Sequence, residues 1–462
     1  MNMSRPIAVA ALAAVAAAAP AAAQAAPARF ERVAGFRSPG TPAKYDRVGI
    51  LKFGSPKARN VLVLNPGTSA SAAYFQPLAR SIVAKAKAWQ VWSVERRENL
   101  LEDQSMLDRA KAGKANPTQL FDYYLGWLKD KSITRHVRLI PDSEVAYAKQ
   151  WGMNTEIQDL RRVVLRAQRL GGKVVVGGHS LGGSITTAYA TWDFHGKAGA
   201  KGLAGLVFID GASGPTPITA DDARQRMGAL DASDASPWLT FGGIAAPFTG
   251  LFNSTGSLGV KLAPHAKSPG QDSGLLPANI VPPVPATNAG QYGYALDTKT
   301  SPASLIAAQA HLGHLAETGA LRDWVNAGEL TPIQRFATMF SGWGLKGLDG
   351  TAWYHPQRLT IDSGAVADGN ANPAQAIMDV HATHGADLPR SLRMYAFGAA
   401  LGGTRVLDAT RALAKQSHIP ASHLVLVDRH TTYAHNDPNS ATPSRNVFFK
   451  RLIPFLARVR KG

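Results

Sequence analysis

The sequence predicts an α/β protein with a mostly parallel central sheet flanked by helices. Three observations carry that prediction. Short, nearly all-apolar runs recur, among them Val61-Leu62-Val63-Leu64, Val174-Val175-Val176 and Leu206-Val207-Phe208-Ile209. Such runs mark strands buried on both faces, as parallel strands are. Helix-compatible stretches alternate with them, which is the grammar of a parallel sheet. In mid-chain, the run from Lys173 ends in Gly177-Gly178-His179-Ser180-Leu181-Gly182-Gly183, a glycine-rich turn between a strand and a helix.

Residues 1–25 read as an export signal: Arg5 precedes an apolar stretch from Pro6 to Ala19, and Ala23-Gln24-Ala25 supplies a small-x-small cleavage pattern. The expected localisation is therefore secreted or periplasmic. The segment is mostly alanine, too weakly apolar for a membrane anchor. The chain has no cysteine, so neither a lipid anchor on cysteine nor a disulfide framework is available and stability must come from the core. Apolar residues from Tyr45 to Phe53 suggest the opening strand, followed by Asn60 to Leu64, a loop at Asn65-Pro66-Gly67-Thr68-Ser69, a helix over Ala72 to Ala86, and a strand at Gln90 to Val94.

Two insertions interrupt the rhythm. The first, about residues 98–152, carries an aromatic-rich helix around Phe121 to Leu128. The rhythm resumes at Asn154, where Thr155-x-x-Gln158 suits a capping box, and that helix leads to the strand before Ser180. A strand at Gly205 to Asp210 follows. The second insertion, residues 212–388, is far longer than an ordinary connection. It opens with apolar residues (Trp238, Leu239, Phe241, Ile244, Phe248) that look exposed, passes through a Pro/Gly loop, and offers amphipathic helices from Ser301-Pro302 through Ala316 and from Thr331-Pro332. It is expected to form a cap or lid over the active edge of a core made of residues 26–211 and 389–462. The sheet returns at Arg393 to Phe397, continues through a helix over Val406 to Lys415 and a strand at His423 to Asp428, and closes with a helix from Asn446 to Val459 interrupted by Pro454.

The turn at Ser180 has the form Gly-x-Ser-x-Gly. To hold a serine hydroxyl out at the tip of a strand, the backbone must turn sharply at the serine, and side chains two residues either side would collide with the adjoining strand and helix. Gly178 and Gly182 meet that demand. A serine hydroxyl is a weak nucleophile until a base takes its proton and a carboxylate orients the base.

Alternating strands and helices, the Gly-His-Ser-Leu-Gly-Gly turn, an acid ending a later strand and a histidine before the last helix together resemble the α/β-hydrolase superfamily. The resemblance covers about Tyr45 to Arg97, Asn154 to Ala212 and Leu392 to Val459. It implies a nucleophile elbow at Ser180 and partners in the order acid, then histidine. His435, in Tyr433-Ala434-His435-Asn436, has loop length to swing back over Ser180, with His430 the alternative. The superfamily usually carries its acid just after the strand ending at Phe397; the corresponding position is Leu401, and Gly398 to Gly403 holds no carboxylate. A known variation moves the acid one strand earlier, to Asp210; Asp408 is the alternative. The oxyanion donors are expected to be the backbone N–H groups of Leu181 and of Thr68, with Ser69 next.

These residues point to a serine hydrolase acting through an acyl-enzyme, with a carboxylic ester, small or polymeric, as substrate. A peptidase or amidase of the same fold is the enzymatic alternative, for which Arg96 and Arg97 could meet a peptide terminus. A non-catalytic wall- or polymer-binding module is the other. The formal charge of +18 favours weak adsorption to anionic surfaces. The basic residues are scattered, densest at Lys450 to Lys461, and no nucleic-acid motif accompanies them. No cofactor is expected. His311-x-x-His314 and His381-x-x-His384 lack a third ligand, so no metal is expected either.

Overall fold

A computed structural model describes residues 27–462 apart from Gly242; the export signal expected at residues 1–25 lies outside the described residues. Eight strands make the central sheet: β1 (Arg29–Ala34), β2 (Arg47–Phe53), β3 (Asn60–Asn65), β4 (Trp89–Glu95), β5 (Val174–His179), β6 (Gly205–Ile209), β7 (Arg393–Gly398) and β8 (Leu424–Asp428). Their spatial order is β1-β2-β4-β3-β5-β6-β7-β8. Only β1 and β2 run antiparallel to their neighbours; all other pairs are parallel. This order, with a Gly-x-Ser-x-Gly turn leaving β5, is the α/β-hydrolase fold.

The apolar runs are explained by the two layers that cover the sheet. Side chains alternate along a strand, so Val61 and Val63 enter one core with the helices Met153–Gln168, Leu181–Thr191 and Thr404–Gln416. Leu62 and Leu64 enter the other, with Gln76–Lys85 and Val447–Lys461. The strand β1 has no counterpart in the expected opening at Tyr45. It is an edge strand whose sequence, RFERVA, is charged at three of its six positions, as edge strands commonly are.

The long insertion is not confined to one face. Leu359, Ile361, Val366 and Met378 join the first core, and Tyr292, Phe336, Met339 and Phe340 join the second. A third cluster is shared by the two insertions: Leu107, Phe121, Tyr124 and Trp151 from one pack with Trp238, Leu251, Leu258 and Trp353 from the other. Trp238, which looks exposed in the sequence, is buried there.

Local structure departs from the sequence pattern where distant groups intervene. The helix expected at Thr155 starts earlier, at Met153, because the carboxylate of Asp362 accepts the Met153 N–H (2.8 Å). Thr155 therefore lies inside the helix, its hydroxyl bonded to the Gln150 carbonyl. The helix expected through Ala316 is only a short 3-10 turn, Ala303–Ala308. Beyond it the Asp297 carboxylate accepts the N–H groups of both Leu312 and Gly313, and His314–Leu315 pairs as a ribbon with Trp324–Val325. The last helix runs unbroken from Val447 to Lys461 with Pro454 inside it.

Candidate active site

The strand β5 delivers Ser180 in a left-handed backbone conformation, φ 57° and ψ −125°, immediately before the helix Leu181–Thr191. That conformation costs a non-glycine residue roughly 1–3 kcal/mol and persists only where the surroundings impose it. A Cβ on Gly178 would come within 2.0 Å of the Gly182 carbonyl oxygen, and one on Gly182 within 2.1 Å of the Asn65 carbonyl oxygen. Both glycines of the motif are thus fixed by close backbone approach. The Ser180 Oγ makes no hydrogen bond among the described residues, the one expected to His435 Nε2 included.

Asp210 follows β6, is almost completely buried and also has positive φ (45°). Its Oδ2 meets His435 Nδ1 at 2.6 Å. The loop after β7, which lacks the expected acid, holds this one: the N–H groups of Ala399 (2.6 Å) and Gly402 (3.0 Å) donate to Oδ1, and that of Leu401 (3.2 Å) to Oδ2. Burial pushes the Asp210 carboxyl up, but the His435 hydrogen bond and charge and the Ala399 N–H outweigh it, leaving Asp210 below the usual carboxylate range. An ionised Asp210 accepts from Nδ1–H, and Nε2 is then the free lone pair of His435.

The alternatives face solvent. Asp408 is 64% exposed and paired with Arg411, and His430 is 42% exposed and bonded to Asp428. His435 is buried, its ring against that of His179 (centroids 4.2 Å apart, planes tilted by 39°), the residue before Ser180. His179 Nε2 donates to the His435 carbonyl at 2.8 Å, while its Nδ1 meets the Tyr74 hydroxyl at 2.9 Å. Tyr74 in turn bonds the Asn436 side chain. Burial, and then the like charge of His435, pushes His179 well below its ordinary value. It is therefore a neutral strut between the elbow and the loop that carries His435. Sequence reading passed over His179 and Tyr74 because nothing local marks a histidine or tyrosine as a buried bridge.

The loop after β3 lies beside the serine: a Cβ on Gly67 would fall 3.0 Å from Ser180 Cβ and 3.6 Å from its Oγ. Leu181 begins its helix, so its N–H has no intrahelical acceptor. The Thr68 N–H takes no partner among the described residues, whereas the Ser69 N–H meets Nδ1 of the buried His355 at 3.4 Å. Among the loop candidates, Thr68 is the one with a donor to spare. The long insertion seals this loop: Ala352 N–H donates to the Ser69 carbonyl (2.9 Å), Ser71 N–H to that of Gly350 (3.2 Å), and the Ser71 hydroxyl bonds the Asp349 carbonyl.

Arg96 and Arg97, candidates for meeting a peptide terminus, are 1% and 3% exposed and fully engaged. Arg97 binds Asp46 and Asp159 (2.9 and 2.7 Å). Arg96 pairs with Glu98 (2.7 Å) and donates to the carbonyls of Pro66, Gly67 and Ala70. Neither can receive a ligand. His311 and His314 share no helix face; His311 binds Asp437. His381 and His384 each bind a neighbouring aspartate, and among the described residues no group of three metal-ligating side chains comes together.

No family model and no curated protein matches the sequence. Solved structures do align with it. The chain is similar to a carboxyl esterase from Bacillus coagulans (13% identity, covering 93% of this chain and 98% of that one, TM-score 0.40). It is also similar to a soluble variant of monoglyceride lipase from Saccharomyces cerevisiae (12%, 96% and 98%, 0.38) and to a thermophilic esterase from Thermogutta terrifontis (12%, 94% and 99%, 0.37). At such identities and TM-scores these likenesses carry no argument about chemistry, and the α/β-hydrolase fold stands on the strand order and the turn at Ser180.

Proposed function

We propose that this chain is a serine hydrolase cleaving carboxylic esters through an acyl-enzyme, with Ser180 as nucleophile, His435 as general base and acid, and Asp210 orienting His435. The observation that carries the reading is the buried 2.6 Å pair of His435 and Asp210, the histidine ring lying against that of His179, which precedes a serine in a strained turn. In the first half-reaction Ser180 Oγ attacks the ester carbonyl carbon and its proton passes to His435 Nε2. The carbonyl π pair moves to oxygen, where the N–H groups of Thr68 and Leu181 take up the negative charge. Collapse expels the alkoxide, which leaves as the alcohol with the His435 proton. Water repeats the sequence on the acyl-enzyme, giving the acid and free Ser180.

The amidase reading loses the feature named for it, since Arg96 and Arg97 are occupied. Export through residues 1–25 makes the proposed substrate an ester outside the cytoplasm. The test is labelling by a fluorophosphonate together with hydrolysis of p-nitrophenyl esters of increasing acyl length. Ser180→Ala should lose both. Labelling that survives in Ser180→Ala would overturn the assignment, and cleavage confined to aminoacyl anilides would replace the ester by an amide.

A further inference from the structure

Resting on the proposed hydrolase, we infer that Arg96 is the positioning residue that sets one of the two oxyanion donors. Three carbonyls of one short loop converge on its guanidinium: Pro66 on Nη1 (3.0 Å), Gly67 on Nη2 (3.0 Å) and Ala70 on Nη2 (2.9 Å). Glu98 holds the remaining Nε at 2.7 Å. The Gly67 carbonyl and the Thr68 N–H belong to one peptide unit. In a trans peptide the two point in opposite directions, so pulling the Gly67 oxygen towards Arg96 turns the Thr68 hydrogen away from it. Gly67 itself abuts Ser180, and the Thr68 N–H has no other partner among the described residues.

The arrangement needs an arginine. The loop's own hold on this peptide is slight, since the Gly67 carbonyl also takes the Ala70 N–H but only at 3.3 Å, and one planar fork can satisfy several carbonyl oxygens at fixed angles where an ammonium acts as a point charge. A misdirected donor is costly because preorganised N–H groups act where charge develops in the transition state, and removing one costs about 10²–10³ in kcat. Arg97 provides the control. It is equally buried and equally paired, but its partners are Asp46, Asp159 and the Phe36 carbonyl, none of them in this loop.

The experiment compares Arg96→Lys and Arg97→Lys for thermal unfolding, ester kinetics and inhibition by a trifluoromethyl ketone, which forms the oxyanion on Ser180. Arg96→Lys should lower kcat about 10- to 100-fold with KM changed less than about threefold, and weaken the ketone in proportion. Arg97→Lys should lose comparable thermal stability and keep kcat within about threefold. Added guanidinium should restore part of kcat in Arg96→Ala, a rescue that general structural damage would not show. Equal kcat losses in the two lysine variants, or ketone affinity unchanged in Arg96→Lys, would overturn the inference. Should Arg96→Lys fail to fold, the guanidinium titration of Arg96→Ala decides in the same way. Activity absent from the parent enzyme while Ser180 still labels would count against the ester reading instead.

Discussion

Two histidine–aspartate pairs in this molecule have the same contact, Nδ1 to Oδ2 at 2.6 Å: His435 with Asp210, and His311 with Asp437. Asp437 is two residues beyond His435 in the chain, and it too is buried under backbone donors, the N–H groups of His311 (3.0 Å) and Ala434 (2.8 Å), with the Thr331 hydroxyl beside them. Only the first pair lies against the residue that precedes a strained serine. His311 instead stands 25% exposed on the long insertion. Its raised pKa comes first from the Asp437 hydrogen bond, which burial only partly opposes. The same contact thus ties a loop down in one place and, in the proposed triad, orients the base in the other, and the two differ in burial, the His435 side chain being 1% exposed and that of His311 25%.

Substitution separates the two. Asp210→Asn should cost most: the amide N–H₂ facing His435 would favour the wrong tautomer, and kcat should fall about 10³–10⁴-fold, measured on a soluble ester. A loss below tenfold would remove Asp210 from the proposed triad. Asp437→Asn should cost stability, about 2–4 kcal/mol by chemical denaturation, because an amide N–H₂ would confront donors inside the core. Its kcat should stay within about tenfold of the parent; a loss as large as that of Asp210→Asn would erase the distinction. The smallest effect belongs to His311→Asn. A histidine whose folded pKa is raised adds stability that is full below its unfolded value, near 6.5, and is lost as pH rises through the folded value. With His311 partly exposed the difference should be about 1 kcal/mol or less. The unfolding gap between parent and variant should therefore be wider at pH 5.5 than at pH 9, and a gap that widens with pH would contradict the pairing.

Much of the core was legible because its signals are local. Val61 to Leu64 and Leu206 to Ile209 are apolar on both faces, and in the structure both faces are covered. Gly178 and Gly182 are demanded by contacts made within the turn and with the adjoining strand end. The sequence points to Asp210 through the absence of a carboxylate near Leu401, and in the structure Leu401 donates its N–H to Asp210. The unread parts are those in which distant segments decide. Asp362 caps a helix more than two hundred residues upstream, Arg96 clamps a loop it does not adjoin, and Asp297 unwinds an expected helix. The charges of β1 concealed an edge strand for a different reason: none of its six residues is fully buried, so it carries no apolar run.

The sealing of the loop near Ser69 by residues 349–355 bears on how the protein is made. The donor loop and the segment that closes it are separated by 278 positions at the Ser71–Asp349 contact, and His435 arrives later still. A chain synthesised from its N-terminus carries Ser180 and Thr68 long before it carries what fixes them, and contacts of such sequence separation form slowly. Nascent or truncated chains should therefore be inert towards esters. For the proposed hydrolase, activity would arrive only once the segment around Asp349 and the loop carrying His435 have folded back over the start of the chain.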